Sequence, residues 1–227
     1  MTRGNQRRSL VVLLTALAAS ALTTAIARAG GPTLLDIADV RIRDPFIVTD
    51  RQAGRYVMVA SMSNRRGGAK GWECYTSNDL LHWQKPVPVF TPPEGFWADR
   101  DFWAPEIHAY RGKHYLFGTL SAADAKRGTQ IFVADGPLGP FVPLSDRAAT
   151  PHDWMALDGT LFVEDDRPWM VFCHEWVQID DGTMNAVRLS EDLARPLGEP
   201  VLLFRASDAP WCRPLRPGKY VTDGPCL

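Results

Sequence analysis

The segment FWAPEIHAYRGKHYLFGTL, Phe102 to Leu120, indicates the fold class. Two aromatic-rich runs flank the turn Arg111-Gly112-Lys113, which predicts two strands joined by a tight turn. Similar short runs, bounded by Gly, Pro, Asp and Asn, recur along the chain, and helical periodicity is almost absent beyond the N-terminal segment. They read RYVMVAS, TQIFVAD, TLFVEDD, PWMVFCHEW, NAVRLS and PVLLF. The sequence therefore predicts an all-β protein.

A repeat of about sixty residues organises these runs. Four-stranded sheets that recur at this period are typical of a β-propeller, in which each blade buries its faces against its neighbours. A β-sandwich is the alternative, but a sandwich has no reason to repeat a signature at the start of each unit. The units begin at Asp44-Pro45, Ala104-Pro105, Asp158-Gly159 and Asp223-Gly224.

The propeller geometry brings distant carboxylates together. The innermost strands of successive blades surround one funnel, so residues at the starts of these strands converge on one mouth. The side chains expected there are Asp44, Glu106, Asp158 and Asp223. The second strand of a blade returns to the same mouth, which places His174, Glu175 and Trp176 beside Asp158.

Carboxylates and indoles around one pocket favour a sugar site. An indole face stacks on a sugar ring, and carboxylates bind hydroxyl groups. Trp103 and Trp176 are the preferred stacking residues because each has a carboxylate neighbour, and Glu106 and His174 are further candidates for substrate binding. The alternative for the tryptophans is space-filling between blades.

The ordered set of motifs resembles glycoside hydrolase family 43, a family of five-bladed propellers with arabinanase, arabinofuranosidase and xylosidase activities. The resemblance rests on IRDPFIV, FWAPEIHAY, LDGTLFVEDDRPWMVF and VTDGP, in the family's order, and covers residues 36 to 227. It implies an inverting hydrolase of arabinofuranosyl or xylosyl linkages in plant polysaccharides. It implies no organic cofactor and no catalytic metal, although a complete propeller can hold a central structural ion.

The resemblance also assigns roles to the carboxylates. Asp44 matches the base that activates water, and Asp158 matches the carboxylate that tunes the acid. The family opens its fourth blade with a glutamate as general acid, where this sequence has Asp223, one methylene shorter. Glu175 is longer and adjacent to Asp158, so Glu175 is the preferred acid and Asp223 the alternative.

The repeat fills only part of a five-bladed propeller. Three blades and the first strand of a fourth are expected in the 227 residues, which leaves the activity of the chain itself open. A non-catalytic carbohydrate-binding propeller and a retaining enzyme acting on sucrose or fructans remain alternatives.

Residues 1–29 read as an export signal, and residues 30–227 as the partial propeller. Three arginines precede the apolar stretch Leu10 to Ile26, which ends at the cleavage site Ala27-Arg28-Ala29. Arg7-Arg8 also resembles a twin-arginine signal. We therefore expect a secreted or periplasmic protein with no membrane contact after cleavage.

The mature composition bears on partners. Residues 30–227 carry 21 basic and 26 acidic side chains, which argues against nucleic acid and suits an oligosaccharide or polysaccharide. The oligomeric state is left open. The four cysteines, which lack a C-x-x-C spacing, allow either buried thiols or disulfides in an oxidising compartment.

Overall fold

The computed structural model describes Met1, residues 34–62 and residues 70–225. The predicted export signal lies almost entirely outside the described residues, and so does Cys226. The propeller boundary at residue 30 stays a prediction. Within the described residues, no helix is long and apolar enough to cross a membrane. Cys74, Cys173 and Cys212 are free thiols, and the first two are buried.

The first blade is an antiparallel sheet in the order β1-β5-β4-β3-β2, with β6 paired to β4 beside this path. Strand β2 alternates in burial, as expected of a half-buried strand, whereas β3 and β4 are buried on both faces. The strands are β1 (Leu35–Asp36), β2 (Phe46–Asp50), β3 (Arg55–Ser61), β4 (Trp72–Ser77), β5 (His82–Trp83) and β6 (Val87–Phe90).

The second and third blades are four-stranded antiparallel meanders. The second contains β7 (Arg100–Tyr110), β8 (Lys113–Ser121), β9 (Gly128–Ala134) and β10 (Val142–Pro143). The third contains β11 (Ala156–Glu164), β12 (Arg167–His174), β13 (Thr183–Arg188) and β14 (Val201–Arg205), with the short helix α1 (Trp176–Ile179) after β12. The prediction of an all-β chain built from four-stranded propeller blades is confirmed.

Aromatic side chains join the first blade to the second. Trp72 of β4 is fully buried, and its ring lies 5.5 Å from Phe102 and 5.2 Å from Phe132 of the second blade. A second cluster, which includes Phe117 of β8 and Phe172 of β12, joins the second blade to the third. Burial of these rings supplies most of the cohesion between blades, since each large side chain removed from water contributes roughly 1.5–3 kcal/mol.

The outer face of the third blade is exposed and apolar. Val201, Leu202, Leu203 and Phe204 of β14 are each about half exposed. Three of them, Val201, Leu203 and Phe204, border a cavity of about 540 Å³ together with Phe162. Beyond β14, residues 206–225 contain a single 3-10 turn and no strand. The predicted first strand of a fourth blade is therefore not formed by residues 221–225, because none of the described residues supplies a strand that pairs with them.

Candidate functional site

The repeated signature marks a backbone feature of each blade. Its first residue has a positive φ in all three blades: 49° at Asp44, 37° at Ala104 and 55° at Asp158. In β7 and β11 the strand pairing shifts at this position, as in a β-bulge. Bulges re-aim side chains, and a left-handed non-glycine residue costs about 1–3 kcal/mol, a strain that concentrates at functional sites. The repeat thus corresponds to one strained position at the mouth of each blade.

Asp158 is held between the second and third blades by Thr119. The Thr119 hydroxyl accepts from the Asp158 amide at 2.9 Å and donates to its Oδ1 at 3.2 Å. The glycine of this Asp-Gly signature is required by packing, since a β-carbon on Gly159 would lie 2.8 Å from Thr129 Cγ2. The carboxyl group of Asp158 is thereby fixed on the inner strand.

Two other carboxyl groups, those of Asp223 and Asp44, act on Asp158. Burial raises the pKa of Asp158 well above its ordinary value, and the hydrogen bond to Asp223 and the negative charge of Asp223 raise it further. The hydroxyl of Thr119 lowers this pKa, and the charge of Asp44 adds a smaller increase. Asp158 therefore keeps its proton to higher pH than an ordinary carboxyl group.

The segment that carries Asp223 is fixed to the third blade. The Cys173 thiol donates to the backbone carbonyl of Asp223 at 2.8 Å, and the Gly182 amide donates to the carbonyl of Tyr220 at 2.9 Å. A β-carbon on Gly182 would lie 2.3 Å from the Thr222 hydroxyl, so only glycine permits this approach. These contacts set the position of the Asp223 carboxylate next to Asp158.

Glu175 lies at the same mouth but has a different partner. It follows β12, is 9% exposed, and forms an ion pair with Arg127 Nη1. Arg127 Nε also contacts Asp101 Oδ2 at 3.2 Å. Burial raises the pKa of Glu175, Arg127 opposes that rise, and the charge of Asp223 adds to it. Glu175 is thus near Asp223, while its carboxylate is held by an arginine.

Trp103 and Trp176 are placed differently around the mouth. Trp103 is 39% exposed, and the Arg127 guanidinium lies 4.8 Å from its ring centroid. Trp176 begins helix α1, is half-buried, and has Arg216 at 6.0 Å from its ring. The cluster of Arg127, Glu175 and Asp101 therefore includes one exposed indole, Trp103.

His174 and Glu106 have protein partners of their own. The ring of His174 stacks on Trp154 with centroids 4.1 Å apart, and its Nε2 lies 3.0 Å from Gln178 Oε1. Burial lowers the pKa of His174, which favours the neutral ring, although the bond to Gln178 opposes this. Glu106 Oε2 lies 2.9 Å from Nε2 of His108, on the same face of β7. Substrate binding by His174 and Glu106 stays a prediction.

Sequence reasoning missed Arg127, Asp101 and Thr119. Arg127 and Asp101 lie near the starts of β9 and β7. Charged residues are common at solvent-exposed strand ends, so the sequence did not distinguish these two as functional. Thr119 is in the run YLFGTL and reads as an ordinary strand residue. The available signal for Thr119 was its polarity within an aromatic strand, in the blade before the Asp-Gly signature of Asp158. Within the described ranges, no group of three or more His, Cys, Asp and Glu side chains is arranged to hold a metal ion.

Comparison with known proteins identifies the family. The model of the family described as glycosyl hydrolases family 43 matches residues 37–227. The chain belongs to glycosyl hydrolases family 43. The resemblance predicted from the motifs is thus confirmed, and the matched range includes the mouths of all three blades.

Solved and curated members of family 43 extend the comparison. The endo-arabinase structure from Bacteroides thetaiotaomicron VPI-5482 is 40% identical, has a TM-score of 0.74, and covers 82% of this chain and 64% of its own. The extracellular endo-α-(1→5)-L-arabinanase 1 of Bacillus subtilis (strain 168) is 23% identical over 159 residues, 63% of this chain and 48% of that protein.

A second curated relative has a different named activity. The extracellular exo-α-(1→5)-L-arabinofuranosidase ArbA of Cellvibrio japonicus (strain Ueda107) is 26% identical over 143 residues, 56% of this family 43 chain and 40% of the relative. The chain spans about half the length of the curated relatives it matches.

Proposed function

We propose that this family 43 chain provides the catalytic carboxylates of a glycoside hydrolase that cleaves α-L-arabinofuranosyl linkages with inversion. The observation that carries the proposal is the hydrogen-bonded pair of Asp158 and Asp223, with the charge of Asp44 acting on the same carboxyl group. The named activities of the relatives, endo-arabinanase and exo-arabinofuranosidase, support arabinan as the substrate. β-Xylosyl linkages are the alternative substrate.

In this proposal Asp44 is the general base. Its carboxylate accepts a proton from a water molecule, and the water oxygen attacks the anomeric carbon from the face opposite the leaving group. The new carbon–oxygen bond forms as the glycosidic bond breaks, so the configuration inverts. An inverting pair needs its two carboxyl groups about 6.5–9.5 Å apart to leave room for that water. Residues at the mouths of different blades suit such a gap better than neighbours on one strand.

Asp223 is the general acid in this proposal, in place of Glu175. Two carboxylates in contact repel each other, so the Asp158–Asp223 pair retains a proton at a pH where isolated carboxyl groups have lost theirs. Asp158 holds this proton at rest and gives it to Asp223, and Asp223 passes it to the glycosidic oxygen as the leaving group departs, which leaves both carboxylates ionised. The interaction of Asp223 with Asp158 supports this choice of acid.

Glu175 is proposed to orient substrate through Arg127. A carboxylate that is paired with an arginine is stabilised in its charged form by that partner. Trp103, stacked on the same Arg127, offers an exposed indole face to a sugar ring. These residues would form a binding wall next to the acid. Burial of Glu175 nevertheless raises its pKa, which keeps Glu175 as the alternative acid.

Export is proposed from two observations. Residues 1–29 have the order of a signal peptide, and both curated relatives are named extracellular proteins. A polymeric substrate too large to enter a cell fits this location. N-terminal sequencing of protein from the medium or periplasm tests it, with cleavage after Ala29 as the expected result.

The activity is tested with linear α-1,5-arabinan and with p-nitrophenyl α-L-arabinofuranoside and β-D-xyloside. The assay uses the chain itself and a chimera that continues residues 30–225 with the unmatched part of the Bacteroides endo-arabinase. Release of arabinose or arabino-oligosaccharides, with the inverted anomer seen first by NMR, is expected. Binding of arabinan without turnover by the chimera would favour a non-catalytic propeller, and a retained anomer would favour a nucleophilic mechanism.

A further inference from the structure

A cavity of about 350 Å³ lies beside the mouth and shares one residue with it. It is formed by the turn between β8 and β9 and by the segment between β10 and β11. Arg127 belongs to both sites, because it contacts Glu175 and Asp101 at the mouth and also lines the cavity. A volume of about 300–1,000 Å³ is the usual size of small-molecule sites.

The cavity has more positive than negative side chains. Lys126, Arg127 and Arg147 line it, against the single carboxylate of Asp124, and the imidazole of His152 completes the titratable groups. The charge of Arg127 is balanced by the two carboxylates at the mouth. With Arg127 balanced, the two positive charges of Lys126 and Arg147 and the negative charge of Asp124 give the cavity a net charge of +1.

The charges of Lys126 and Arg147 are not balanced by an ion pair within the described residues. In residues 34–62 and 70–225, neither side chain forms an ion pair with a carboxylate. The Lys126 ammonium donates to the backbone carbonyl of Asp153 at 2.6 Å, which is a neutral acceptor. Both side chains are exposed, so their remaining N–H donors are available to a ligand.

Trp97 gives the cavity a fixed aromatic wall. Its indole N–H donates to Gln130 Oε1 at 2.6 Å, and the Gln130 amide in turn donates to the carbonyl of Ser145 at 2.5 Å. The guanidinium of Arg147 lies 5.6 Å from the Trp97 ring centroid. An immobilised indole with an arginine over one part of its ring matches a sugar ring that carries a carboxylate, since the sugar packs on the uncovered part of the indole and the carboxylate accepts from the arginine.

We propose that this cavity is a subsite for an acidic sugar, a uronic acid unit of the polysaccharide. Arg147 and Lys126 bind its carboxylate, and Trp97 contacts its ring. The inference rests on the proposed function, because the shared Arg127 makes the cavity an extension of the cleavage site. The enzyme would then prefer arabinan near or attached to an acidic glycan over a purely neutral polymer.

The test compares two ligands that differ only at C6. Methyl α-D-galacturonoside carries a carboxylate where methyl α-D-galactoside carries a hydroxymethyl group. Ligand-observed NMR titration of the chain is expected to show saturable binding of the galacturonoside and much weaker binding of the galactoside. Equal binding of the two ligands, or no binding of either, would overturn the proposal.

Two arginine-to-alanine variants, one in the cavity and one outside it, test whether the galacturonoside binds in the cavity. Arg147→Ala is expected to weaken galacturonoside binding by about 10-fold or more, because a charge-assisted bidentate contact is lost. Arg167→Ala, at an exposed arginine at the start of β12, should leave it unchanged. Lys126→Gln provides a second variant if Arg147→Ala fails to fold. Unchanged binding in both variants would contradict the assignment.

The binding test is independent of turnover. If the chain and the chimera bind the galacturonoside but do not hydrolyse arabinan, the proposed hydrolase function fails and the acidic subsite stands. If they hydrolyse arabinan but do not bind the galacturonoside, the subsite fails and the function stands.

Discussion

The carboxyl group of Asp158 is hydrogen-bonded to that of Asp223, and this contact joins the inner strand of the third blade to the segment after the blade. Asp158 is fixed by Thr119, and Asp223 by the Cys173 thiol. The pair is therefore held by both the second and third blades. The raised pKa of Asp158 is a consequence of that packing.

The first prediction concerns the support of Asp223. Gly182→Ala places a methyl group where Thr222 Oγ1 and the Thr222 amide now lie, at 2.3 and 2.9 Å, so residues 222 and 223 must move. Small displacements of a catalytic group cost about 100-fold. We therefore expect turnover of arabinan by the chimera to fall by about that factor while the far-UV circular dichroism spectrum is unchanged.

Gly136→Ala is the matched control for this substitution. A β-carbon at Gly136 meets no atom within 4 Å. Equal losses in Gly182→Ala and Gly136→Ala would show that the close approach of Gly182 to Thr222 does not position the site.

The second prediction concerns stability against pH. The pKa of Asp158 is raised in the folded state, so above its ordinary value of about 4 the folded chain binds a proton that the unfolded chain has lost. Stability then falls as pH rises from about 4 towards the raised pKa. Asp158→Asn has no carboxyl group at this position and does not lose stability in this way. The melting temperature of Asp158→Asn minus that of the wild type should therefore increase with pH over that window and level off above it.

Asp135→Asn serves as the control, since the side chain of Asp135 is 96% exposed. Its melting temperature relative to the wild type should not vary in the same way. A constant difference between Asp158→Asn and the wild type across the window would contradict the raised pKa.

Much of this arrangement followed from sequence. The Asp-Pro and Asp-Gly signatures located Asp44 and Asp158 because each marks a strained start of an inner strand, a local feature that residue type reveals. The spacing of the repeats gave the blade count. The positions of Asp44 and Asp158 and the number of blades were therefore predictable, because both depend on residue types and spacings that recur in the sequence.

The partners of the carboxylates did not follow from sequence. Glu175 follows β12 and lies opposite Met155, before the bulge that carries Asp158, and its side chain pairs with Arg127, which lies in another blade. Side-chain direction at a strand end depends on the bulge and on loops from other blades, and no periodicity encodes it. The convergence of the inner strands predicted that Asp223 and Asp158 share one mouth, but not that their carboxyl groups interact directly.

The third prediction concerns Glu175. Glu175→Gln removes one of the two carboxylates that hold Arg127, while Asp101 still contacts it. We expect a higher KM for arabinan with a smaller effect on kcat, because binding and not proton transfer is weakened. The loss should be similar for aryl arabinofuranosides with good and with poor leaving groups.

Arg127→Lys is the companion variant. Lysine keeps the charge but cannot contact two carboxylates in the planar geometry of a guanidinium, so it should reproduce the KM effect. A fall in kcat without a change in KM for Glu175→Gln would instead indicate a role in the chemical step.

The role of Asp223 as general acid is tested by the leaving-group dependence of Asp223→Asn, measured with the chimera on aryl α-L-arabinofuranosides and on arabinan. If Asp223 is the general acid, turnover of arabinan should fall by about 100- to 10,000-fold, whereas substrates with activated leaving groups lose far less. Asp44→Asn should abolish turnover for every substrate, because water activation is always needed. The account is contradicted if Glu175→Gln shows this leaving-group dependence and Asp223→Asn does not.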